Sequence, residues 1–321
     1  MPHLISKFKN IFILLGVLAL LLVGLGVYQG MTSSKNKRNP AAFFGVNFDK
    51  VTKIRVTGTN GLYENILEKK KDDWVVTNMP ARQSLGGGGG DYAVNPKYID
   101  DLKDILQNMP KGELASRDKA KHEEFQVDKV GIALQAWQGG ALVADAVIGK
   151  EGVGFGSTYI KKADSDNVYL VPQNIRQAFN RTDWRDKRVW VFDPKKVTAI
   201  DWRYKDTDLS LIKTQDGWQQ IAPFNQKSSD EKVGPELTKL ADLYASDINE
   251  KVSREEAGLE GKKLDIRIEL TMESGEKDAL IVGDKLKDKE EYYVTRENGK
   301  LIYTLDSYTV ENSLKKEIGA F

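Results

Sequence analysis

The chain has 321 residues, 40% hydrophobic and 30% charged, a composition that suits a folded protein of about two domains. Lys plus Arg number 48 against 47 Asp plus Glu, so net charge gives no reason to expect a nucleic-acid partner. The absence of cysteine excludes disulfides, thiolate nucleophiles and Cys-based metal sites, two histidines (His3 and His122) are too few for a His-rich site, and no metal or cofactor is expected.

The first element is a run without charge, IFILLGVLALLLVGLGVY from Ile11 to Tyr28. Its eighteen residues make about 27 Å of helix, close to the ~30 Å hydrocarbon core of a bilayer. A cleaved signal peptide has a shorter apolar region ending at a small-x-small site; this run is longer, and VYQGMTS is a poor cleavage site. The expectation is an uncleaved anchor at 11–30, between a cytoplasmic tail at 1–10 and a stalk at 31–45. Lys7 and Lys9 on one side and Lys35, Lys37 and Arg38 on the other leave orientation undecided by charge. The short tail favours the N-terminus in the cytoplasm, with the bulk of the chain outside it.

Alternating apolar residues predict strands at 51–56 and 62–68, joined by the turn chemistry of Thr57-Gly58 and Asn60-Gly61. A short strand at Trp74 follows, then ARQSLGGGGGD (81–91), whose five consecutive glycines read as a flexible loop. A helix is predicted over 96–108, with Pro96 at the first helical position and Tyr98, Ile99, Leu102, Ile105 and Leu106 on one stripe. A short helical stretch at 122–125, strands at 131–137, 142–148, 159–162 and 168–171, and a closing helix near Pro172 complete the segment. The same series is predicted again: strands at 199–204, 209–213 and 218–221, a helix from Pro235 to Ala245, strands at 264–272, 278–282, 292–296 and 301–305, and a helix from Tyr308 to Ile318.

That recurrence extends to the residues themselves. Phe48-Asp49-Lys50 matches Phe192-Asp193-Pro194, Val51 to Ile54 matches Val197 to Ile200, and Asp72-Asp73-Trp74 matches Asp216-Gly217-Trp218. Val94-Asn95-Pro96 matches Val233-Gly234-Pro235, Ile148-Gly149 matches Val282-Gly283, Tyr159 matches Tyr293, and Val168-Tyr169 matches Ile302-Tyr303. The order is kept and the offset changes at loops, the signature of an internal duplication. Trp74, Trp218, Pro96, Pro235, Gly149, Gly283, Tyr159 and Tyr293 are the positions the repeat singles out as structural. The expected fold is α+β, two tandem modules of mostly antiparallel sheet with helices, at 46–187 and 188–321.

Little in the chain reads as catalytic. Gly149-x-x-Gly152-x-Gly154-x-Gly156 lies between two predicted strands, where a phosphate-binding loop needs a following helix, so it reads as a hairpin connection. His122 lies in KAKHEEF, a charged stretch without a nucleophile or orienting partner beside it. Carboxylates at Asp100-Asp101-Asp104, Glu123-Glu124, Glu255-Glu256 and Asp288-Glu290-Glu291 alternate with basic residues and read as solvated faces. Trp184, Trp190 and Trp202 cluster in TDWRDKRVWVFDP and beyond, which reads as packing between the modules, with an aromatic binding surface as the alternative.

The anchor, the duplication and the repeated Asp-x-Trp element resemble the duplicated domain of unknown function found in bacterial envelope proteins, often encoded beside gliding-motility-type ABC transporter accessory components. The shared features include a Trp-x(4–5)-Pro spacing at Trp74–Pro80 and Trp218–Pro223 and the Glu255-Glu256-Ala257-Gly258-Leu259 run, for which copy one has Phe125-Gln126-Val127 in place of the Gly-Leu element. The resemblance implies a periplasmic accessory or scaffold, non-enzymatic, held in the bilayer by residues 11–28 and partnered by the permease or accessory subunits of an ABC-type complex. The alternative is a module that binds envelope glycan or another ligand through aromatic surface such as Trp137, Trp202 or the tyrosines.

Overall fold

Period-two alternation of apolar residues builds nearly all of the fold, as residues 42–78, 91–153, 156–261, 266–317 and 319–321 show in a computed structural model. The tail, the anchor at 11–28 and the stalk up to residue 41 lie outside the described residues. No described helix is long and apolar enough to cross a membrane. By compactness the chain divides into two units: residues through Asp72 with Lys97–Arg181, and Asp73–Pro96 with Thr182–Phe321.

The first sheet is made from β1 (Lys53–Thr57), β2 (Glu64–Lys70), β3 (Asp73–Asn78), β4 (Tyr92–Ala93), β5 (Glu113–Ser116), β6 (Ile132–Gln138), β7 (Ala141–Glu151), β8 (Thr158–Lys162) and β9 (Val168–Val171). Helix α1 (Pro96–Asn108) separates β4 from β5, and a single turn, α2 (Arg176–Phe179), follows β9. The second sheet is made from β10 (Val197–Tyr204), β11 (Thr207–Thr214), β12 (Gly217–Ala222), β13 (Gln226–Lys227), β14 (Asp247–Asn249), β15 (Ile266–Met272), β16 (Lys277–Lys285), β17 (Glu291–Arg296) and β18 (Ile302–Asp306). Helix α3 (Asp230–Ala241) lies between β13 and β14, and the turn α4 (Ser307–Thr309) runs into a wider π turn at Val310–Leu314. Strand order is β4-β3-β2-β1-β6-β7-β8-β9-β5 in one sheet and β13-β12-β11-β10-β15-β16-β17-β18-β14 in the other. Adding nine to each label of the first gives the second, so the two nine-stranded sheets are tandem copies of one topology. The β3–β4 hairpin takes its place in the first sheet's order, while compactness groups it with the second unit.

Burial follows the alternation. Ile54 and Val56 of β1 and Ile132, Leu134 and Ala136 of β6 face the core, as do Ile200, Trp202 and Tyr204 of β10 and Ile266, Ile268 and Leu270 of β15. On the opposite face the same strands carry ion pairs, Lys53–Glu68 and Arg55–Glu64 in one copy, Arg203–Asp208 and Arg267–Glu269 in the other. Helix α1 buries Leu102, Ile105 and Leu106 and runs over the span its periodicity predicts.

Four expectations are corrected. The helix of copy two begins at Asp230, after Ser229, so Pro235 sits inside it rather than at its first position, and it ends at Ala241. Val94 N–H donates to Trp74 O and Ser228 N–H to Trp218 O, both at 2.9 Å, which pairs Val94 with Ser228 and Pro96 with Asp230; the Val-x-Pro match with Pro235 is out of step by five residues. Likewise Asn47 Oδ1 accepts from Asp49 N–H and Asp193 Oδ1 from Lys195 N–H, each capping a one-turn 3-10 helix before β1 or β10. Phe48 therefore corresponds to Pro194, and the Phe-Asp match is two residues off. Finally, the closing helix of copy one is a single turn from Arg176 rather than from near Pro172, and that of copy two, predicted over 308–318, runs from Ser307 to Leu314 before Lys315 turns extended.

The repeat starts earlier than the sequence pattern indicated. Ala42 bridges to Pro110 and Phe43 N–H donates to Met109 O at 2.8 Å; Arg188 bridges to Tyr244 and Val189 N–H donates to Leu243 O at 2.9 Å. The last residues of the 31–45 segment are thus packed, with Phe43 buried.

Candidate functional site

A duplicated fold carries its own control. A feature present in both copies serves the shared architecture, whereas a feature of one copy is free to serve something else.

Most positions singled out from sequence are of the first kind. Trp74 and Trp218 are both buried, at matching places in β3 and β12. Gly149 and Gly283 lie in β7 and β16 beneath crossing segments, here called straps, at 118–127 and 250–259. Tyr159 stacks on Phe125 of its strap, ring centroids 4.5 Å apart, and Tyr293 packs against the cluster of Ala257 and Leu259. Pro96 opens α1, and Pro235 lies within α3.

The straps match bond for bond. Phe125 N–H donates to Lys121 O and Ala257 N–H to Ser253 O; Val127 N–H donates to His122 O and Leu259 N–H to Arg254 O. Gln126 and Gly258 both take positive φ, 55° and 66°, so the departure of Phe125-Gln126-Val127 from the Gly-Leu element is one of residue type and not of backbone. His122 therefore stands where Arg254 stands. Its ring Nε2 lies 3.0 Å from Asp166 O in the β8–β9 turn, while Arg254 Nη1 donates to Gly299 O at 3.2 Å in the β17–β18 turn. Both are pins between strap and turn.

The aromatic residues divide similarly. Trp184, Trp190 and Trp202 are all buried, and Trp202 Nε1 donates to Leu314 O at 2.9 Å. Trp137 is half-buried on the ion-paired face of β6, with the Lys53 and Arg55 cations 5.7 and 5.5 Å from its ring centre.

What remains is a cleft of about 530 Å³ in the first unit, between α1 and residues 173–181. One wall carries Asp100, Asp101 and Asp104; the other presents Gln173, Asn174 and Gln177; Ile105 and Ile175 lie at its base. Asp101 is balanced, with Lys97 Nζ at 3.2 Å and Arg181 Nη2 at 3.9 Å, and the Arg181 guanidinium lies 3.7 Å from the centre of the Tyr98 ring. Pro235 stands where Asp101 stands, but the next residue of copy two is tied similarly: Glu236 of α3 meets Lys239 at 2.8 Å and Lys316 of the closing segment at 2.7 Å. Burial works against the Glu236 carboxylate, but hydrogen bonds from the two ammonium groups hold its pKa below the usual range.

Asp100 and Asp104 differ. Asp104 accepts only from neutral amides, Asn108 Nδ2 at 3.1 Å and Gln173 Nε2 at 3.2 Å, and Asp100 has no cation partner among the described residues. At the corresponding places in α3 stand Gly234 and Thr238. The fold therefore does without carboxylates there, and copy one presents two unbalanced negative charges one helical turn apart. Sequence reading assigned them to a solvated face; the opposite wall lies some seventy positions on, beyond the reach of any local pattern.

No group of three or more His, Asp or Glu residues arranged to hold a metal ion occurs among the described residues. The arrangement is that of a duplicated antiparallel-sheet protein with one polar, acid-walled cleft in its first unit. A family model for a domain of unknown function, DUF4340, matches residues 88–260 and again 218–321. The chain belongs to that family, and the two overlapping matches fit its duplication. No curated protein and no solved structure matches the chain.

Proposed function

We propose that the chain is a membrane-anchored, extracytoplasmic accessory protein that binds rather than catalyses, and that its partner is a membrane subunit of an ABC-type transport or gliding-motility-type complex. The apolar run at 11–28 has the length of a bilayer-spanning helix and would hold the two modules at the membrane surface. The observation that carries the binding role is the pair Asp100 and Asp104: two unbalanced carboxylates on a cleft wall, at positions where the second copy folds with Gly234 and Thr238. Such a wall suits a basic segment of another protein, and charge complementarity of this kind sets partner choice and encounter rate.

The test is co-purification. The full chain, expressed with the polytopic subunits of such a complex and extracted in mild detergent, is expected to elute with them, and D100N/D104N to lower their recovery at least fivefold. Elution of the wild-type chain alone from such cells defeats the proposal.

A further inference from the structure

The margin of the first sheet that residues 42–46 cross carries exposed apolar side chains. Phe43 is buried, its ring 5.8 Å from that of Tyr169, and Phe44 packs edge-on to Phe43 at 4.8 Å. From Phe44 a groove of about 290 Å³ runs past Leu142, Val143 and Ala144 of β7 to Lys162. Leu142 is 48% exposed, and Leu114 of β5, paired with Tyr169, is 40% exposed. Two exposed lysines lie along the neighbouring rings, Lys162 Nζ 5.6 Å from the centre of Phe43 and Lys111 Nζ 5.0 Å from that of Tyr169. Neither has a carboxylate partner among the described residues. Asp145 and Asp164 line the same groove, and Asp145 Oδ2 accepts from Gln135 Nε2 at 3.1 Å. The margin is thus close to neutral, and it offers apolar side chains with ammonium groups on flexible stems.

Copy two fills the same place differently. Phe43 and Val189 make matching bonds to Met109 O and Leu243 O, so Trp190 stands where Phe44 stands. Val191 is exposed beside it, but acids flank it. Counting back from Gly149 and Gly283, Asp278 stands for Ala144 and Glu276 for Leu142. Asp278 Oδ2 accepts from Trp190 Nε1 at 3.1 Å and from Arg296 Nε at 2.7 Å, which ties that ring into an ion pair. The buried Ala245 stands for Lys111. The architecture therefore calls neither for a bare leucine nor for a lysine here.

The chain's own connection indicates what lies opposite. The apolar run ends at Tyr28, and thirteen residues, 29–41, join it to Ala42. At 3.3–3.6 Å per residue they span at most about 45 Å, so this margin lies within that reach of the run's end. They include Lys35, Lys37 and Arg38 and no acid. Basic residues beside a bilayer are drawn to anionic headgroups, which brings the margin closer.

We propose that this margin rests on the bilayer around the chain's own anchor, with Phe44, Leu114 and Leu142 at headgroup depth and Lys111 and Lys162 reaching lipid phosphates. An apolar face ringed by lysines binds that layer through buried apolar area together with attraction to anionic lipid. Docked so, the first unit is held at a fixed height above the bilayer. The inference rests on the anchored reading of residues 11–28, and none of the docking residues lines the acid-walled cleft.

The chain has no cysteine, so a single introduced one takes a fluorescent label alone. The full chain is reconstituted into vesicles of equimolar phosphatidylcholine and phosphatidylglycerol, with lipids spin-labelled just below the headgroup as quenchers. Probes in L142C and L114C are expected to be quenched at least threefold more strongly than one in L62C. Leu62, 79% exposed, lies in the β1–β2 connection, at the opposite end of β1 from the Lys53–Trp137 pair that adjoins Leu142. L142E, which gives copy one the acid that copy two carries, is expected to lower quenching of the L114C probe at least twofold with an unchanged Tm. Flotation of the wild-type chain with the vesicles after an alkaline wash reads the anchor separately. A chain that does not float removes the anchored reading and this proposal with it. A chain that floats while the three probes are quenched alike, while none is quenched, or while L142E changes nothing overturns the docked margin alone. Protection of the L142C probe from aqueous iodide by the polytopic subunits, without quenching by lipid, would give the margin to a protein partner and overturn the proposal equally.

Discussion

Gly149 and Gly283 hold the same place in the two sheets, each lying directly beneath a strap carbonyl. A β-carbon on Gly149 would come 2.2 Å from Phe125 O, and one on Gly283 2.2 Å from Ala257 O. The pairing of β7 with β8 shifts between Ile148 and Glu151, and that of β16 with β17 between Val282 and Lys285, so both glycines lie within a bulge. The bulge frees the next N–H of each strand from the ladder: Lys150 N–H donates to Phe125 O at 3.0 Å and Asp284 N–H to Ala257 O at 2.9 Å. Glycine and bulge together let a strap bond to the face of a sheet.

Alanine at either glycine is therefore expected to lift a strap. The obstacle is backbone, which cannot rotate away, so each substitution should cost about 1–3 kcal/mol, the range for overpacked sites. Urea denaturation would measure the loss. Hydrogen exchange would locate it, with faster exchange at Val127 N–H in G149A and at Leu259 N–H in G283A. Unchanged exchange at those amides would show that the close approach does not fasten the strap.

The buried Arg185 gives a second prediction. Its guanidinium bonds Asp183 at 2.9 Å and Asp247 at 2.6 Å and lies 5.6 Å from the Tyr92 ring centre, all within the second unit. Removing one partner of a buried pair leaves the others uncompensated, so R185M should cost about 3–5 kcal/mol in thermal or urea unfolding. Burial pushes the Asp183 carboxyl up, but hydrogen bonding and charge from Arg185, with a smaller part from Lys187, hold it below the ordinary range. A depressed folded pKa contributes stability above the unfolded value of about 3.9, and that contribution is lost as pH falls through the folded pKa. The wild-type chain should lose stability in that acid window, and R185M should lose less there. An acid limb identical in the two proteins would assign the titration to other carboxylates.

His122 and Arg254 are interchangeable pins by position, and this makes a third test. H122R should fold with stability within about 0.5 kcal/mol of wild type, the usual range for a tolerated change, because copy two already seats an arginine in this slot. R254A should cost about 1–3 kcal/mol, since it strands turn carbonyls that the guanidinium now satisfies. A loss in H122R as large as that in R254A would mean that the two slots are not equivalent.

Much of this architecture is legible in the sequence because strands and helix α1 announce themselves by period. Ile54 and Val56, or Leu102, Ile105 and Leu106, are enough to place an element and its buried face. Matching the copies was harder. Val-x-Pro occurs at Val94 and at Val233, yet only Pro96 opens a helix, and the alignment becomes visible through backbone bonds to Trp74 and Trp218. The two-residue strands β4 and β13 and the short edge strands β5 and β14 are too brief to show a period at all. Gln126 hid the strap of copy one, because a left-handed position there is filled by glutamine where copy two uses Gly258. The cleft was illegible for a different reason: its walls meet only after the sheet between them has formed.

The acid wall allows a test that separates fold from function. Asp101 has cations at 3.2 and 3.9 Å, an arrangement that copy two repeats one position on, around Glu236, so D101N should destabilise the first unit modestly, by about 0.5–1 kcal/mol after allowance for solvent screening. Asp100 and Asp104 have no such cations among the described residues, and asparagine keeps the acceptor that Asp104 offers to Asn108 and Gln173. D100N/D104N should therefore match wild type within about 0.5 kcal/mol in urea unfolding, while partner recovery falls. The reverse pattern, an unfolded D100N/D104N protein or a stable one that still holds its partner, would return these two carboxylates to the architecture or to plain solvated surface. The same pair of measurements on G234D/T238D asks whether carboxylates at the matching places in α3 suffice for docking. Because Glu236, between those two positions, is already tied to the closing segment through Lys316, no gain in recovery is expected there.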